Sequence, residues 1–167
     1  MIILNKNSFF IQILKDIVEI DQDRLYELSI AYFKEYAGYD KTSKIATLHK
    51  EHIDNYFNAF IGRQDRQTSI ARVNNEIVGY ITYYEKTRQC FYEIASIGEI
   101  SGLYVSEEYR NIGIGQKLIE NAIKFFRSRR IQYYSLLISV NDTKGIEYFK
   151  KNGMYTNNMI MHGEILT

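Results

Sequence analysis

The stretch YVSEEYRNIGIGQKLI, Tyr104 to Ile119, places Gly113 and Gly115 between an apolar strand-like run and a helix-like run. Glycines let a backbone turn its N–H groups inward, and a following helix adds the positive end of its dipole, so the segment suits a phosphate. Arg110 at its start can add a charge-assisted bond. A P-loop requires Gly-Lys-Ser/Thr at its end, whereas Gln116 and Lys117 follow Gly115 here. A dinucleotide turn requires a third glycine where this chain has Leu118, and a first glycine close behind its strand, yet Ser106–Ile112 intervene. Asp142 could imitate the ribose-binding acid of such a fold. However, only 52 residues follow Gly115 (167 − 115), too few for a doubly wound sheet.

Periodicity supplies the setting. Residues 8–18 read as a strand, and Asp21 and Asp23 open a helix whose apolar stripe is Leu25, Leu28, Ala31 and Tyr32. A second helix is expected over 42–61, with Ile45, Leu48, His52, Tyr56 and Phe60 on one face. Strands follow at 68–73 and 77–85, joined by Asn74-Asn75-Glu76, and asparagine tolerates the left-handed conformation of a tight hairpin. A third strand spans 94–105. After the glycine loop comes a helix presenting Ile114, Leu118, Ala122, Phe125 and Phe126. A strand at 133–140, a short helix at 143–151 and a last strand at 154–165 complete the chain. Grouped strands followed by a β-α-β passage define an α+β or mixed α/β fold.

Two separated segments carry a family resemblance. GEISGLYVSEEYRNIGIGQKLIENAI contains Leu103-Tyr104-Val105 and Arg110-Asn111-Ile112-Gly113-Ile114-Gly115, which resemble the apolar-x-Val and Arg/Gln-x-x-Gly-x-Gly/Ala of motif A of the GNAT superfamily of N-acetyltransferases. Downstream, VNDTKGIEYFKKNGM is similar to that family's Asn-x3-Ala-x2-apolar-Tyr-x3-Gly-Phe, through Asn141, Gly145, Tyr148-Phe149, Gly153 and Met154. The resemblance implies one domain over 1–167. Its sheet would be twisted, mostly antiparallel, with one splayed parallel strand pair and helices on both faces.

The resemblance also implies an acetyl-CoA-dependent enzyme acting on a primary amine in a ternary complex. Leu103, Tyr104 and Val105 would offer backbone groups to the pantetheine arm. The amides of Arg110, Asn111, Ile112, Gly113, Ile114, Gly115 and Gln116 would hold the pyrophosphate. Asn141 and Phe149 would contact the cofactor, with Lys144, Lys150 or Lys151 near its 3′-phosphate. An alkylamine leaves only roughly one molecule in 2500 neutral at pH 7, so a base is needed. Glu99 is the first candidate, and if it shares a half-buried face with Leu103, desolvation raises its pKa. Glu93 and Glu85 are alternatives. Strict register places Phe149 where the family commonly has an acidic tyrosine, leaving Tyr148, about 100° around the helix, as the nearest substitute. That departure sustains an alternative: a catalytically weak CoA-binding regulatory module.

Charge agrees with an anionic ligand near the glycine loop. Residues 110–151 hold nine Lys/Arg and three Asp/Glu, whereas residues 1–109 hold twelve and sixteen. The acidic first half slightly favours a cationic acceptor. A total net charge of +1 gives no bulk case for nucleic acid. Cys90 is the single cysteine, so no internal disulfide forms, and a reducing, cytoplasmic compartment is expected. No window approaches the ~20 apolar residues of a membrane span. His49 and His52 lack a third ligand, so no metal is expected, and His162 stands alone. Arg127–Arg130 reads as a helix end. Family habit makes a homodimer possible.

Overall fold

A computed structural model describes residues 8–39, 42 and 47–163. The elements are β1 (Phe10–Ile13), α1 (Glu19–Ala37), α2 (Lys50–Asn58), β2 (Arg66–Val73), β3 (Glu76–Thr87), β4 (Ser96–Val105), α3 (Ile114–Ser128), β5 (Tyr134–Leu136) and α4 (Thr143–Lys151). They group into two compact units that divide between Leu137 and Ile138. The first holds a sheet of order β1-β2-β3-β4-β5, antiparallel except for β4 and β5, which run parallel. The second holds α4. This is the α+β architecture with one parallel pair that the resemblance implies.

The hairpin between β2 and β3 forms as the asparagines predict. Val73 pairs with Glu76, and Asn74 and Asn75 have φ of 48° and 68°. Both therefore adopt the left-handed geometry that matches the twist of the flanking strands. Arg72 braces this corner: it donates to the Asn75 carbonyl at 2.7 Å and forms a buried ion pair with Asp21 at the start of α1.

Helices cover both faces of the sheet. On one, Leu25 and Leu28 of α1 and Ile53 and Phe57 of α2 pack with Ile70, Tyr80 and Tyr104. The Phe57 and Tyr80 rings meet edge-on at 5.1 Å. On the other, α3 buries the five residues of its anticipated stripe, and Phe125 and Phe126 pack on the Tyr83 ring at 5.2 and 5.8 Å. Gly98 lies directly beneath α3, since a Cβ there would sit 2.7 Å from the Phe126 ring.

Several elements are shorter than their patterns suggest. β1 ends at Ile13 and β5 at Leu136. α2 starts at Lys50 rather than Thr42. Upstream, the Leu48 carbonyl accepts from the Tyr26 hydroxyl at 2.9 Å, and His52 Nδ1 accepts from the His49 N–H at 3.3 Å. Those bonds commit the backbone before the helix, while Ile45 lies outside the described residues. No strand forms over 154–163, where Met159 and Met161 are 77% and 86% exposed; the rest of that expected strand is outside the described residues. Among the described residues no strand pairs with the segment, and a lone strand has no ladder to stabilise it.

Phe57 is fully buried beneath the site-bearing face of the sheet. Phe57→Ala is expected to cost about 3–5 kcal/mol, measured as a fall in the urea midpoint. An unchanged midpoint would contradict this packing.

Candidate active site

β4 carries one residue more than β3 between two of its pairs. Tyr83 pairs with Ile100, but Thr82 pairs with Gly102, leaving Ser101 as a bulge. Side chains alternate along a regular strand, so an extra residue reverses the alternation beyond it. Gly98 and Ile100 accordingly face α3, whereas Gly102 and Tyr104 face α1 and α2, with Tyr104 packed on the Tyr32 ring at 6.1 Å. Glu99 pairs with Tyr84 and faces the α1/α2 side; Leu103 pairs with Ile81 and faces α3. The expectation that Glu99 shares a face with Leu103 fails for this reason.

Glu99 also lies in different company from that expected. Tyr84 donates to its Oε1 at 2.6 Å, and Lys86 Nζ pairs with its Oε2. The carboxylate is three-quarters covered but held in a polar network, not in apolar surroundings. Burial, and then the bond to Glu99, push the Tyr84 phenol up to about 12. That phenol therefore stays a proton donor throughout the ordinary pH range. Of the alternative bases, Glu85 is bound to Arg129 at 2.5 Å, and Glu93 is exposed in the β3–β4 connection.

On the same face as Glu99 lies a cavity of about 260 Å³. Ser29, Tyr32 and Phe33 of α1 form one wall, and Leu48, His52, Ile53 and Tyr56 form another. Tyr80 and the bulge residues Ser101 and Gly102 complete it. The Tyr56 hydroxyl meets Thr82 Oγ1 at 2.7 Å and Ser101 Oγ at 3.3 Å, and Ser101 also donates to Thr82 Oγ1 at 3.0 Å. A Cβ on Gly102 would lie 3.0 Å from Thr82 Oγ1 and 3.4 Å from the Tyr56 hydroxyl. Burial, and then the neighbouring Tyr56 and Tyr36, push the Tyr32 phenol up to about 12.

These residues were not anticipated as a site. His52 and Tyr56 belong to the stripe of α2, where spacing alone reads as core. Ser101 and Gly102 sit inside a strand pattern. The one usable signal was Gly102, because a glycine within a strand often marks a bulge.

The β4–β5 ladder ends at Ile100–Leu136. Beyond it, Gly102–Val105 pair only with β3 among the described strands, so Leu103, Tyr104 and Val105 lie where one flank of β4 is open. The loop from Ser106 then leads into α3. Asn111 and Gly113 have φ of 63° and 90°, and Gly113 is the N-cap of α3 with no side-chain cap. The first turn, Ile114, Gly115 and Gln116, contains no acidic residue, and a Cβ on Gly113 would meet nothing within 4 Å. An uncapped helix start with orphan amides beside open space is a fitting cradle for a pyrophosphate.

Arg110 does not extend towards that space. Its Nε donates to the Val105 carbonyl at 2.9 Å, and its guanidinium forks onto Glu35 of α1 at 2.7 and 3.2 Å. The Glu35 bond raises its already high pKa further. The side chain expected on a phosphate instead ties the loop to α1 and the end of β4, and the amides are left as the anion donors.

In the second unit, Asp142 caps α4 by accepting from the Gly145 N–H at 2.8 Å. A Cβ on Gly145 would collide with that carboxylate and sit 2.7 Å from Ile138 Cδ1, which accounts for glycine where the family pattern has alanine. The Tyr148 hydroxyl is buried without a hydrogen-bond partner among the described residues, and burial raises its pKa. Phe149 packs on the Tyr148 ring at 5.3 Å, Lys144, Lys150 and Lys151 are exposed, and the Asn141 N–H donates to Ser139 Oγ at 3.3 Å. Among the described residues, no group of three His, Cys, Asp or Glu is placed to hold a metal, and no helix is long and apolar enough to cross a membrane.

The model of the acetyltransferase (GNAT) family matches residues 22–154, and the chain belongs to that family. An uncharacterised N-acetyltransferase of Archaeoglobus fulgidus is 26% identical over 134 residues, 80% of this chain and 88% of the relative. Another from Methanocaldococcus jannaschii is 27% identical over 144 residues, 84% of this chain and 59% of the relative. Among solved structures, an aminoglycoside N-acetyltransferase in complex with CoA superposes with a TM-score of 0.74 over 95% of each chain at 9% identity. Membership makes the protein an N-acetyltransferase with acetyl-CoA as donor.

Gly113→Asp is expected to weaken acetyl-CoA binding roughly tenfold or more in calorimetry, since it adds a carboxylate at the phosphate cradle. Gly113→Ala should lose less, through the 1–2 kcal/mol left-handed penalty of a residue with a Cβ. Unaltered affinity in both would displace the cradle.

Proposed function

We propose that the protein transfers the acetyl group of acetyl-CoA directly to a primary amine held in the cavity beside the Ser101 bulge. The observation that carries this reading is the bulge itself, because it puts Glu99 on the same face as the cavity floor, Ser101 and Gly102. In this reading the α3 amides from Ile114 to Gln116 grip the pyrophosphate, and the open flank of Leu103–Val105 receives the pantetheine arm. Asn141, Lys144 and Phe149 remain cofactor contacts of the proposal. Bound there, acetyl-CoA supplies an activated thioester.

Glu99 takes the proton that the amine must lose, directly or through water, and Tyr84 and Lys86 hold the carboxylate in position. A strand N–H on the open flank of β4 stabilises the developing oxyanion. The new nitrogen–carbon bond forms as the carbon–sulfur bond breaks, and Tyr148 returns a proton to the departing thiolate. Tyr148 is proposed for this role because it stands next to Phe149, where the resemblance expects an acidic tyrosine, and because its hydroxyl has no hydrogen-bond partner among the described residues.

Glu99→Gln is expected to lower kcat about 10²-fold at pH 7 while leaving acetyl-CoA affinity within twofold. The deficit should shrink towards pH 10, where much more of the amine is already neutral. Equal kinetics at every pH would remove Glu99 as the base. Tyr148→Phe should lower kcat with little change in either KM; a rise in KM alone would assign it to binding. Acetyl-CoA binding without CoA release on any amine would instead favour a regulatory CoA-binding module.

A further inference from the structure

The acidic excess of the first 109 residues suggests a cationic acceptor, but at least eight of those sixteen carboxylates are bound to partners within the structure. Asp21 pairs with Arg72, Asp23 with Lys50, Glu27 with Arg24, Glu35 with Arg110, Glu85 with Arg129 and Glu99 with Lys86. Asp54 accepts from Gln22, and Asp65 is paired with Arg66. Among the described residues, no carboxylate lines the cavity. Its walls are the rings of Tyr32, Phe33, Tyr56 and Tyr80 with Leu48 and Ile53, and its polar groups are hydroxyls and the His52 ring. Within the cavity a polycation would meet no carboxylate among the lining residues and would pay a large desolvation cost for its charges.

Size points the same way. Small-molecule sites commonly run from about 300 to 1,000 Å³, and a cavity of about 260 Å³ lies just below that range, with room for a ring-sized arm. Four aromatic walls suit an apolar or aromatic arm by edge-to-face contact. Apolar surroundings also disfavour the ammonium form, which increases the neutral fraction of a bound amine. The polar end of the space is the Ser101–Tyr56–Thr82 hydroxyl cluster. That cluster shares its face with Glu99, so an arm buried among the rings directs its amine towards the base.

We infer that the acceptor is a primary amine whose carbon arm is apolar and about the size of one aromatic ring. The arm fills the Tyr32–Phe33–Tyr56–Tyr80 cavity, and the amine lies at the Ser101–Gly102 bulge. This inference rests on the acetyltransferase reading above and deepens it. The same chemistry has two sources, a free arylalkylamine and the α-amine of a peptide beginning with phenylalanine.

The test measures CoA release by the full-length protein with four acceptors: phenethylamine, a tripeptide amide beginning with phenylalanine, spermidine and an aminoglycoside. One of the two aromatic amines should exceed spermidine and the aminoglycoside at least tenfold in kcat/KM, and the better of the pair identifies the source. Spermidine or the aminoglycoside performing equally well overturns the inference and leaves the acetyltransferase reading standing. Phe33→Ala should raise KM for the preferred amine roughly tenfold with KM for acetyl-CoA unchanged. Gly102→Ala, whose Cβ enters the cavity floor, should do the same and provides a second variant should Phe33→Ala fail to fold. Unchanged amine KM in a folded variant overturns the inference. If no amine is turned over, the acetyltransferase reading fails. The cavity is then judged by phenethylamine titration followed by NMR of the tyrosine rings: saturable shifts that weaken in Gly102→Ala sustain it, and no shifts overturn it.

Discussion

One surplus residue organises this protein. With Ser101 looped out of the β3–β4 pairing, β4 presents Gly98 and Ile100 to α3 before the bulge, and Gly102 and Tyr104 to α1 and α2 after it. A regular strand would send 98, 100, 102 and 104 to a single face. The bulge thus lets one strand serve two cores, and the crossover point brings a carboxylate and a small glycine floor to the same side of the sheet. The end of the β4–β5 ladder at Ile100–Leu136 falls at the same level, so the backbone is opened where the side-chain pattern changes.

The rest of the site is supported by charge pairs used as ties. Arg110 joins the glycine loop to α1, and Arg72 joins the start of α1 to the β2–β3 turn. Arg110–Glu35 is half-exposed, and such pairs contribute little to overall stability. Their value is positional: they fix the loop against α1, the helix that also supplies Tyr32 and Phe33 to the cavity wall.

Locally encoded features were legible from sequence, and long-range ones were not. The asparagine hairpin, the α3 stripe and the bounds of α4 each depend on residues a few positions apart, and each forms as the sequence predicts. Glu99 shows the opposite case. Its face depends on how β4 registers against β3, and one bulge reverses any inference from alternation. Arg110 illustrates a second limit, because its partner Glu35 is 75 residues away. The charge segregation is real in composition, but none of the acids is among the residues that line the cavity. The start of α2 was misjudged because Tyr26, on another helix, claims the Leu48 carbonyl.

Asp142, Gly145 and Ile138 constrain one another. The carboxylate that caps α4 and the Ile138 side chain occupy the space a methyl at 145 would need, so alanine there would require both side chains to shift. A shorter residue at 142 would relieve one of these two contacts and leave the one with Ile138 Cδ1. Change at 142, 145 or 138 is therefore coupled, because the cap, the methyl-sized gap and the isoleucine end compete for one small volume.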